Sequence, residues 1–392
     1  MVKLTSRAIG PYDGSSLSND WEEPVMQLDT PCLVIDADRL ENNIRGMADL
    51  ARRHHVALRP HIKTHKSVEI ARMQLAAGAC GITVAKVSEA EIMVDAGIDD
   101  IFIAYPVIGP IKLERLTRLA PRCRRLIVGI DSLAGAKALD EAARAAGLKL
   151  EVRLEVDIGF ARTGIAGDGA LDLARAVSRM SGLDLTGIFA FKAMTLAGKP
   201  TLDLQAAGEE EGRLTVALAD QIRADGIPLA DVSAGSTPTA AVIAAQPGIT
   251  EIRPGTYVFN DMATVGSGSC QLADCAAGVL VTVVSSNGQD RLVVDGGSKT
   301  FSTDSQPGTP PLCLEGFGRI LEDGQLVFNR MTEEHGMMLV KPGAKDHQVG
   351  DQLLVIPNHI CTTVNLHPQA VLIRNRSEIV RRIKIDARGC VT

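Results

Sequence analysis

Residues 126–156 read LIVGIDSLAGAKALDEAARAAGLKLEVRLEV, and this stretch decides the fold. A β-rich run, Leu126–Ile130, is followed by an amphipathic run rich in Ala, Leu and Arg, Ser132–Ala146, and then by a second β-rich run, Leu150–Val156. A strand–helix–strand unit of this kind joins two parallel strands through a crossover helix. The stretch therefore predicts an α/β fold with a parallel sheet.

The same alternation continues on both sides of this unit. Six further β-rich runs are present: Val56–Leu58, Gly81–Val84, Ile101–Ala104, Leu185–Ala190, Leu229–Val232 and Thr250–Ile252. A second long helical pattern covers Leu202–Ala224. Eight strands within about 200 residues favour a closed (β/α)8 TIM-like barrel. An open, doubly wound sheet is the alternative, although no Gly-rich dinucleotide fingerprint follows the first strand.

The character of the chain changes after residue 257. Short β-branched runs separated by Gly, Pro, Asn and Asp predict a second, all-β domain: Ala277–Val284, Arg291–Val294, Met337–Val340, Gln352–Ile356 and Ala370–Arg374. Near the N-terminus, Leu33–Ile35 is a further strand that can join this domain. We therefore divide the chain into a lead-in and joining strand (1–40), a barrel (41–256) and a C-terminal β domain (257–392).

Composition excludes several classes of function. The formal charge of −6 gives no reason to expect nucleic acid or an anionic membrane as partner. The eight cysteines form no C-x-x-C pair, which is typical of reduced thiols. The N-terminus lacks the apolar core of a signal peptide, and no apolar run approaches the length of a membrane span. We therefore expect a cytoplasmic protein.

The first predicted strand of the barrel is followed directly by Arg59-Pro-His-Ile-Lys-Thr-His-Lys66. Lys63 stands there between two histidines and close to a second lysine. Neighbouring positive charge and partial burial both disfavour an ammonium group and lower its pKa. A neutral amine at a strand end suits Schiff-base chemistry with an aldehyde cofactor. A basic surface loop explains the same eight residues equally well.

Two Gly-containing loops follow the seventh and eighth strands. They read Ser233-Ala-Gly-Ser-Thr-Pro-Thr239 and Arg253-Pro-Gly-Thr-Tyr257. TIM-like barrels often bind phosphate with these two loops and an adjoining helix N-terminus. Each loop alone reads as a capped turn. Together with an aldehyde-binding lysine they favour a cofactor with both an aldehyde and a phosphate, which is pyridoxal 5′-phosphate (PLP).

These motifs carry a resemblance to a known family. They occur in chain order as LDTPCLVID (28–36), RPHIKTHK (59–66), KVSEAE (86–91), VDIGFARTG (156–164), GSTPT (235–239), RPGTYVFND (253–261), EEHG (333–336) and PNHIC (357–361). The chain resembles the family of D-threonine aldolase and eukaryotic-type D-serine dehydratase, PLP enzymes with the alanine-racemase-like fold. The resemblance runs from about residue 28 to the C-terminus. It implies a PLP-bearing barrel, a β domain with a divalent metal site, and a homodimer whose active sites border the partner's β domain.

The resemblance also implies roles for single residues. Lys63 would hold the cofactor covalently, Arg162 would border its ring, and Arg253 would face the pyridine nitrogen as in alanine racemases, where the aldolases carry glutamine. Its phosphate would be seated by Gly235, Ser236, Thr237, Gly255 and Thr256. We include His61, Ser233 and Tyr257 among the residues that bind the cofactor.

His359 and Cys361 are the predicted metal ligands. They lie two residues apart in a segment expected to be extended, so both side chains can point the same way. Imidazole and thiolate together favour zinc over manganese or magnesium. The aldolases have His-x-Asp at this place. The open coordination positions would take water and the substrate hydroxyl.

The resemblance implies that the substrates are small D-configured β-hydroxy-α-amino acids, and the residues leave the reaction open between two lyase activities. Retro-aldol cleavage to glycine and an aldehyde needs a base for the hydroxyl, and the segment 188–197 lacks the histidines that the aldolases carry there. Dehydration of D-serine or 3-hydroxyaspartate to a keto acid and ammonia needs a base for the Cα proton, which Lys63 can supply. We therefore favour dehydration. Thr363–His367 resembles the aldolases instead, and Lys192 fits neither branch.

Two other functions are less well supported. An amino-acid racemase of this fold needs a tyrosine from the β domain, and no tyrosine follows Tyr257. A non-catalytic PLP carrier would leave the second domain without a purpose.

Overall fold

The computed structural model describes residues 28–167, 169–288, 290–375 and 378–392. The predicted polar lead-in therefore lies, up to residue 27, outside the described residues. The first part of the chain contains β1 (Cys32–Asp36), α1 (Ala37–Arg53), β2 (Ala57–Leu58), α2 (Val68–Ala76), β3 (Ile82–Val84), α3 (Val87–Asp95), β4 (Asp100–Pro106), α4 (Pro110–Leu119), β5 (Arg125–Ile130), α5 (Leu133–Ala145), β6 (Leu150–Asp157), β7 (Ile165–Ala166), α6 (Gly169–Val177), β8 (Leu183–Ala190), β9 (Thr195–Leu196), β10 (Lys199–Pro200), α7 (Leu204–Ala224), β11 (Asp231–Ala234), α8 (Ala240–Ala244) and β12 (Glu251–Ile252).

The second part contains α9 (Met262–Gly266), β13 (Ala277–Ser286), β14 (Arg291–Val294), β15 (Gly318–Ile320), β16 (Leu326–Met331), β17 (Gly336–Val340), β18 (Gln352–Pro357), α10 (Ile360–Val364), β19 (Gln369–Arg374) and β20 (Glu378–Lys384). Single 3₁₀ turns cover Ile62–Thr64, Ala120–Arg122, Thr256–Val258 and Leu272–Asp274. No helix in the described ranges is both long and apolar enough to span a bilayer.

The barrel consists of eight parallel strands. They follow the order β2-β12-β11-β8-β6-β5-β4-β3, and a parallel bridge between His61 and Thr83 brings the two ends of this sheet together. Each predicted β-rich run coincides with one of these strands, with ends shifted by up to two residues. The predicted α/β barrel with a second, all-β domain is confirmed.

A cluster of buried charged side chains lies among the barrel strands. Glu251 on β12 forms ion pairs with Arg59 at 2.8 Å and with Arg153 at 2.5 Å, and Arg59 also bonds Asp100 at 2.5 Å. Burial alone would raise the pKa of Glu251, but the guanidinium groups of Arg153 and Arg59 lower it to about 2. The cluster is charge-compensated, so removing one partner would leave a buried charge unpaired, at a cost of about 3–5 kcal/mol.

Strand β1 joins the β domain, as predicted. It pairs antiparallel with β13, where Leu33 faces Val279, and parallel with β19, where Leu33 faces Ala370. The sheet order is β14-β17-β16-β15-β18-β13-β1-β19-β20, and β14 also pairs with β13. This extra pairing closes the antiparallel strands into a second barrel. The exact limits proposed above, after residues 40 and 256, stay a prediction.

Candidate active site at the barrel mouth

Lys63 lies directly beyond the end of β2, in the 3₁₀ turn Ile62–Thr64. Its side chain is exposed, although protein surrounds the amino group closely enough for burial to be the main cause of its lowered pKa. Arg162 and Arg253 lower this pKa further, while Cys361 and Glu89 oppose them. An exposed amine with a lowered pKa is suited to act as a nucleophile.

The residues next to Lys63 in the sequence contribute little net positive charge in the folded protein. His61 caps the turn by accepting the Lys63 N–H at 3.4 Å, and burial holds its pKa well below the usual value. Burial also lowers the pKa of His65 to about 4, while its ring lies 3.2 Å from Oε1 of Gln74. Lys66 pairs with Glu89 at 3.0 Å. Of the two expected causes, burial is the main one, whereas the positive charge comes from Arg162 and Arg253 and not from these sequence neighbours.

The two predicted phosphate loops lie side by side. The Tyr257 N–H donates to the Thr237 hydroxyl at 3.0 Å, which ties the loops together. A Cβ added at Gly255 would lie 3.0 Å from the His61 carbonyl oxygen and 3.1 Å from Oγ1 of Thr64. A side chain at position 255 would therefore crowd the turn that carries Lys63, which the second loop passes closely.

These loops contain backbone hydrogen-bond donors that have no acceptor within the described part of the protein. Among the described residues, the backbone N–H groups of Thr237, Gly255 and Thr256 donate no hydrogen bond. These residues and Ser236 are half-buried, and Ser236 adds a hydroxyl. Unsatisfied N–H groups at a helix start form an anion site. This donor set fits a phosphate group.

Four other predicted cofactor contacts are engaged with protein. The Gly235 N–H donates to Glu211 at 3.1 Å. The Ser233 hydroxyl donates to Glu251 at 2.6 Å and accepts from Arg253 at 2.5 Å. The Tyr257 hydroxyl accepts from Gln74 at 2.9 Å. Sequence reasoning missed these partners, because they come from distant elements. Ser233 and Tyr257 thus support neighbouring residues of the site.

Arg253 is held rigidly inside the barrel. In addition to Ser233, it donates to the Ala190 carbonyl at 2.9 Å, and its guanidinium lies 5.2 Å from the centre of the Phe189 ring. Burial lowers its pKa to about 10, so it remains charged at neutral pH. A fixed cation here suits an unprotonated ring nitrogen as acceptor.

Arg162 borders the mouth from the loop after β6. Its guanidinium lies over the rings of Phe191, at 4.6 Å, and Phe160, at 5.3 Å. Below it, Glu155 is buried, accepts the Thr163 hydroxyl at 2.7 Å and has no hydrogen-bond partner for its second oxygen. Burial raises the pKa of Glu155. No sequence pattern singles out this carboxyl, because it reads as a polar residue inside a strand.

The predicted metal ligands face the mouth from the β domain. The Sγ atom of Cys361 lies 3.2 Å from the Thr64 hydroxyl and 3.6 Å from the Thr256 hydroxyl. His359 and Cys361 lie close enough for each side chain to shift the pKa of the other. The expectation of an extended segment is only half right, because His359 is extended while Cys361 lies in the first turn of α10.

His359 and Cys361 each favour the charged form of the other. Burial alone would lower the pKa of His359, but Cys361 and Asp304 raise it to about 11. Burial alone would raise the pKa of Cys361, but His359 lowers it. Nδ1 of His359 lies 2.6 Å from Asp304, a partner that the sequence did not predict. Thiolate and an oriented imidazole suit a soft divalent metal, although within the described ranges no third His, Cys, Asp or Glu joins them as a ligand group.

Lys192 is not among the residues gathered around Lys63, Cys361 and the two phosphate loops. It is buried, bonds the Thr195 carbonyl at 2.8 Å and pairs with Glu210 on α7. It therefore clamps the loop after β8 to the neighbouring helix. A groove of about 830 Å³ lies nearby between α7 and α8, but its walls contain no predicted site residue.

Comparison with known proteins agrees with this architecture. The family model "Alanine racemase, N-terminal domain" matches residues 35–262, and "Putative serine dehydratase domain" matches residues 276–373. The chain is 36% identical to the D-threonine aldolase of an Arthrobacter species over 94% of each chain. It is 35% identical to the D-threo-3-hydroxyaspartate dehydratase of Delftia sp. strain HT23, over 87% of this chain and 93% of the relative.

Solved structures give the same result. The D-threonine aldolase from Filomicrobium marinum superimposes with a TM-score of 0.83 at 32% identity, covering 93% of this chain and 96% of that one. A cysteine-to-alanine mutant of the D-threo-3-hydroxyaspartate dehydratase in the metal-free form also gives 0.83, at 33% identity, covering 93% and 99%. With its alanine-racemase-like barrel, its serine dehydratase domain and its lysine at the barrel mouth, the chain belongs to the PLP-dependent family that contains these D-amino-acid lyases.

Proposed function

We propose that the protein is a PLP- and metal-dependent dehydratase of D-configured β-hydroxy-α-amino acids, releasing a keto acid and ammonia. The observation that carries this proposal is the position of Cys361. Its sulfur lies 3.2 Å from Thr64, the residue next to Lys63. A metal bound by Cys361 and the amine of Lys63 could therefore contact the same small substrate, the metal at its hydroxyl and the amine at its Cα proton.

The residues present fit the cofactor. Lys63 would bind its aldehyde, Ser236, Thr237, Gly255 and Thr256 its phosphate, and Arg253 its ring nitrogen. When bound, PLP withdraws electrons from the substrate Cα, so that a bond to this carbon can break heterolytically. Arg162, on its platform of Phe191 and Phe160, would close one side of the ring.

Lys63 is the base of the proposed reaction. Burial lowers its pKa, which favours the neutral amine that can accept the Cα proton. His359 and Cys361 would hold the metal, with Asp304 orienting the imidazole through Nδ1. A divalent metal supplies Lewis-acid chemistry at a β-hydroxyl.

The choice of dehydration over cleavage depends on the base for the hydroxyl. The loop after β8 has no histidine, and its Lys192 is tied to Glu210 and Thr195. His367 is buried and lies 3.1 Å from the Thr300 carbonyl. Neither group is free to deprotonate a substrate hydroxyl.

Retro-aldol cleavage is the second candidate, because the identity to a D-threonine aldolase equals that to a dehydratase within one percentage point. A racemase has less support. The Tyr105 ring lies under Lys86 at 3.8 Å, and the Tyr257 hydroxyl is bonded to Gln74. Tyr12 lies outside the described residues.

Product analysis separates the candidates. We expect D-serine or 3-hydroxy-D-aspartate to give keto acid and ammonia in equal amounts, with the L-enantiomers as controls. If D-threonine gives glycine and an aldehyde without ammonia, the protein is an aldolase and not a dehydratase. Formation of the opposite enantiomer alone would replace both by racemase.

A further inference from the structure

Glu211 is a buried carboxyl directly behind the first phosphate loop. It lies on α7 with no exposed surface. One oxygen accepts the Gly235 N–H at 3.1 Å, and the other accepts the Thr239 hydroxyl at 3.2 Å. The Thr239 oxygen in turn accepts the Ser236 N–H at 3.3 Å. Glu211 therefore shapes the loop from its inner side.

This carboxyl has no ion-pair partner among the described residues. The positive groups that act on it are Arg253 and Lys192, and both are bonded elsewhere: Arg253 to Ser233 and the Ala190 carbonyl, Lys192 to Glu210. A buried carboxylate without a cation favours its neutral form. Accordingly, burial raises the pKa of Glu211, and its hydrogen bonds and the two distant cations only partly offset this.

An ionised Glu211 conflicts with the proposed cofactor site. A phosphate on the open side of the loop and a carboxylate behind it would repel each other through a water-poor interior. The Gly235 N–H is also turned toward the carboxyl and away from the phosphate side.

A neutral Glu211 removes the conflict and keeps the loop in shape. Its carbonyl oxygen can still accept the Gly235 N–H, and its hydroxyl can donate to Oγ1 of Thr239. The Thr239 proton is then free to turn toward the Ser236 hydroxyl, 3.4 Å away.

We propose that Glu211 is a positioning residue that couples binding of the cofactor's phosphate to the uptake of one proton from solvent. The inference rests on the proposed PLP site. Affinity for PLP is then highest when Glu211 is neutral. It falls by about tenfold per pH unit as the pH rises above the pKa of Glu211 in the free protein, and levels off above the higher pKa in the complex.

The test compares cofactor-free wild type with Glu211→Gln, which mimics the neutral acid. The dissociation constant of PLP is measured from its visible absorption band between about pH 5.5 and about pH 9. Pyridoxal, which lacks the phosphate, is the second probe. We expect the ratio of wild-type to Glu211→Gln dissociation constants to rise with pH for PLP and to stay flat for pyridoxal. Between the pKa of Glu211 in the free protein and its higher pKa in the complex, calorimetry in two buffers of different ionisation enthalpy should show up to one more proton taken up by the wild type than by Glu211→Gln.

Two further variants make the test decisive. Glu209→Gln changes an exposed carboxyl on the same helix and should behave as wild type. Thr239→Val removes a donor to the Glu211 carboxylate, so the pH at which the affinity for PLP begins to fall should be higher. This variant provides a test that does not depend on the folding of Glu211→Gln. A ratio independent of pH, or an equal rise for pyridoxal, would overturn the inference alone. Absence of the band in wild type at every pH would overturn the proposed function and this inference with it.

Discussion

The pKa of Lys63 depends on residues that are far from it in the sequence. Its lowering was expected from the motif Arg59–Lys66, but the flanking histidines are neutral and Lys66 is paired with Glu89. Arg162 and Arg253, from the loops after β6 and β12, supply the opposing charge. Chain order shows which residues follow a strand, but it does not show which of them meet.

Replacing Lys63 tests the cofactor assignment. Lys63→Ala should lose the visible absorption band of bound PLP and at least about 100-fold of lyase activity, because both the covalent anchor and the base are gone. Absorption spectroscopy of the purified variant measures the first effect. Lys137→Ala, at an exposed position on α5, should keep both. A band that survives in Lys63→Ala would assign the anchor to another lysine.

The metal pair is tested separately from the cofactor. A chelator should abolish activity while the PLP band stays, because the proposed metal binds the substrate hydroxyl and not the cofactor. Cys361→Ala should reduce activity by at least about 100-fold and lower the bound zinc measured by elemental analysis. Cys313→Ser changes an exposed thiol and serves as the control. Full activity after complete metal removal would eliminate the metal from the mechanism.

At the scale of elements, regular alternation was easy to predict and tertiary partners were not. The helix of residues 132–146 begins as expected, with Ser132 accepting the Gly135 N–H at 3.2 Å. The strands β15, β16 and β20 were not predicted. β15 has only three residues, and β20 is exposed and charged, so neither shows a clear apolar period. Asp304, Glu155 and Glu211 gain their importance only from packing.

The close passage of the second phosphate loop gives a prediction for Gly255. Gly255→Ala would press a methyl group against the His61 carbonyl and the Thr64 hydroxyl and displace the turn that holds Lys63. We expect a loss of about 1–3 kcal/mol in the free energy of unfolding, measured by urea denaturation, together with weaker PLP binding. Gly46→Ala, in α1 with no atom within 4 Å of the new Cβ, should instead stabilise by about 0.5–1 kcal/mol. Equal behaviour of the two variants would contradict the steric argument.

At the scale of the whole molecule, the candidate site lies where the two domains meet. The barrel brings Lys63, Arg162 and the phosphate loops to one end, and the β domain adds His359 and Cys361. The chain's last residues strengthen this junction, since Asp386 accepts the Val68 N–H at 2.8 Å at the start of α2. The predicted homodimer stays a prediction, which the molar mass in solution decides.

Strand β1 has a consequence for biosynthesis. It leaves the ribosome ahead of the entire barrel, yet its partners β13 and β19 are made more than 240 residues later. Until then Leu33 and Ile35, which are fully buried in the finished protein, have no sheet to enter. Nascent chains that are released early would therefore expose an apolar, aggregation-prone segment. Fragments that end after the barrel should stay in solution only with chaperones or with the C-terminal half added separately.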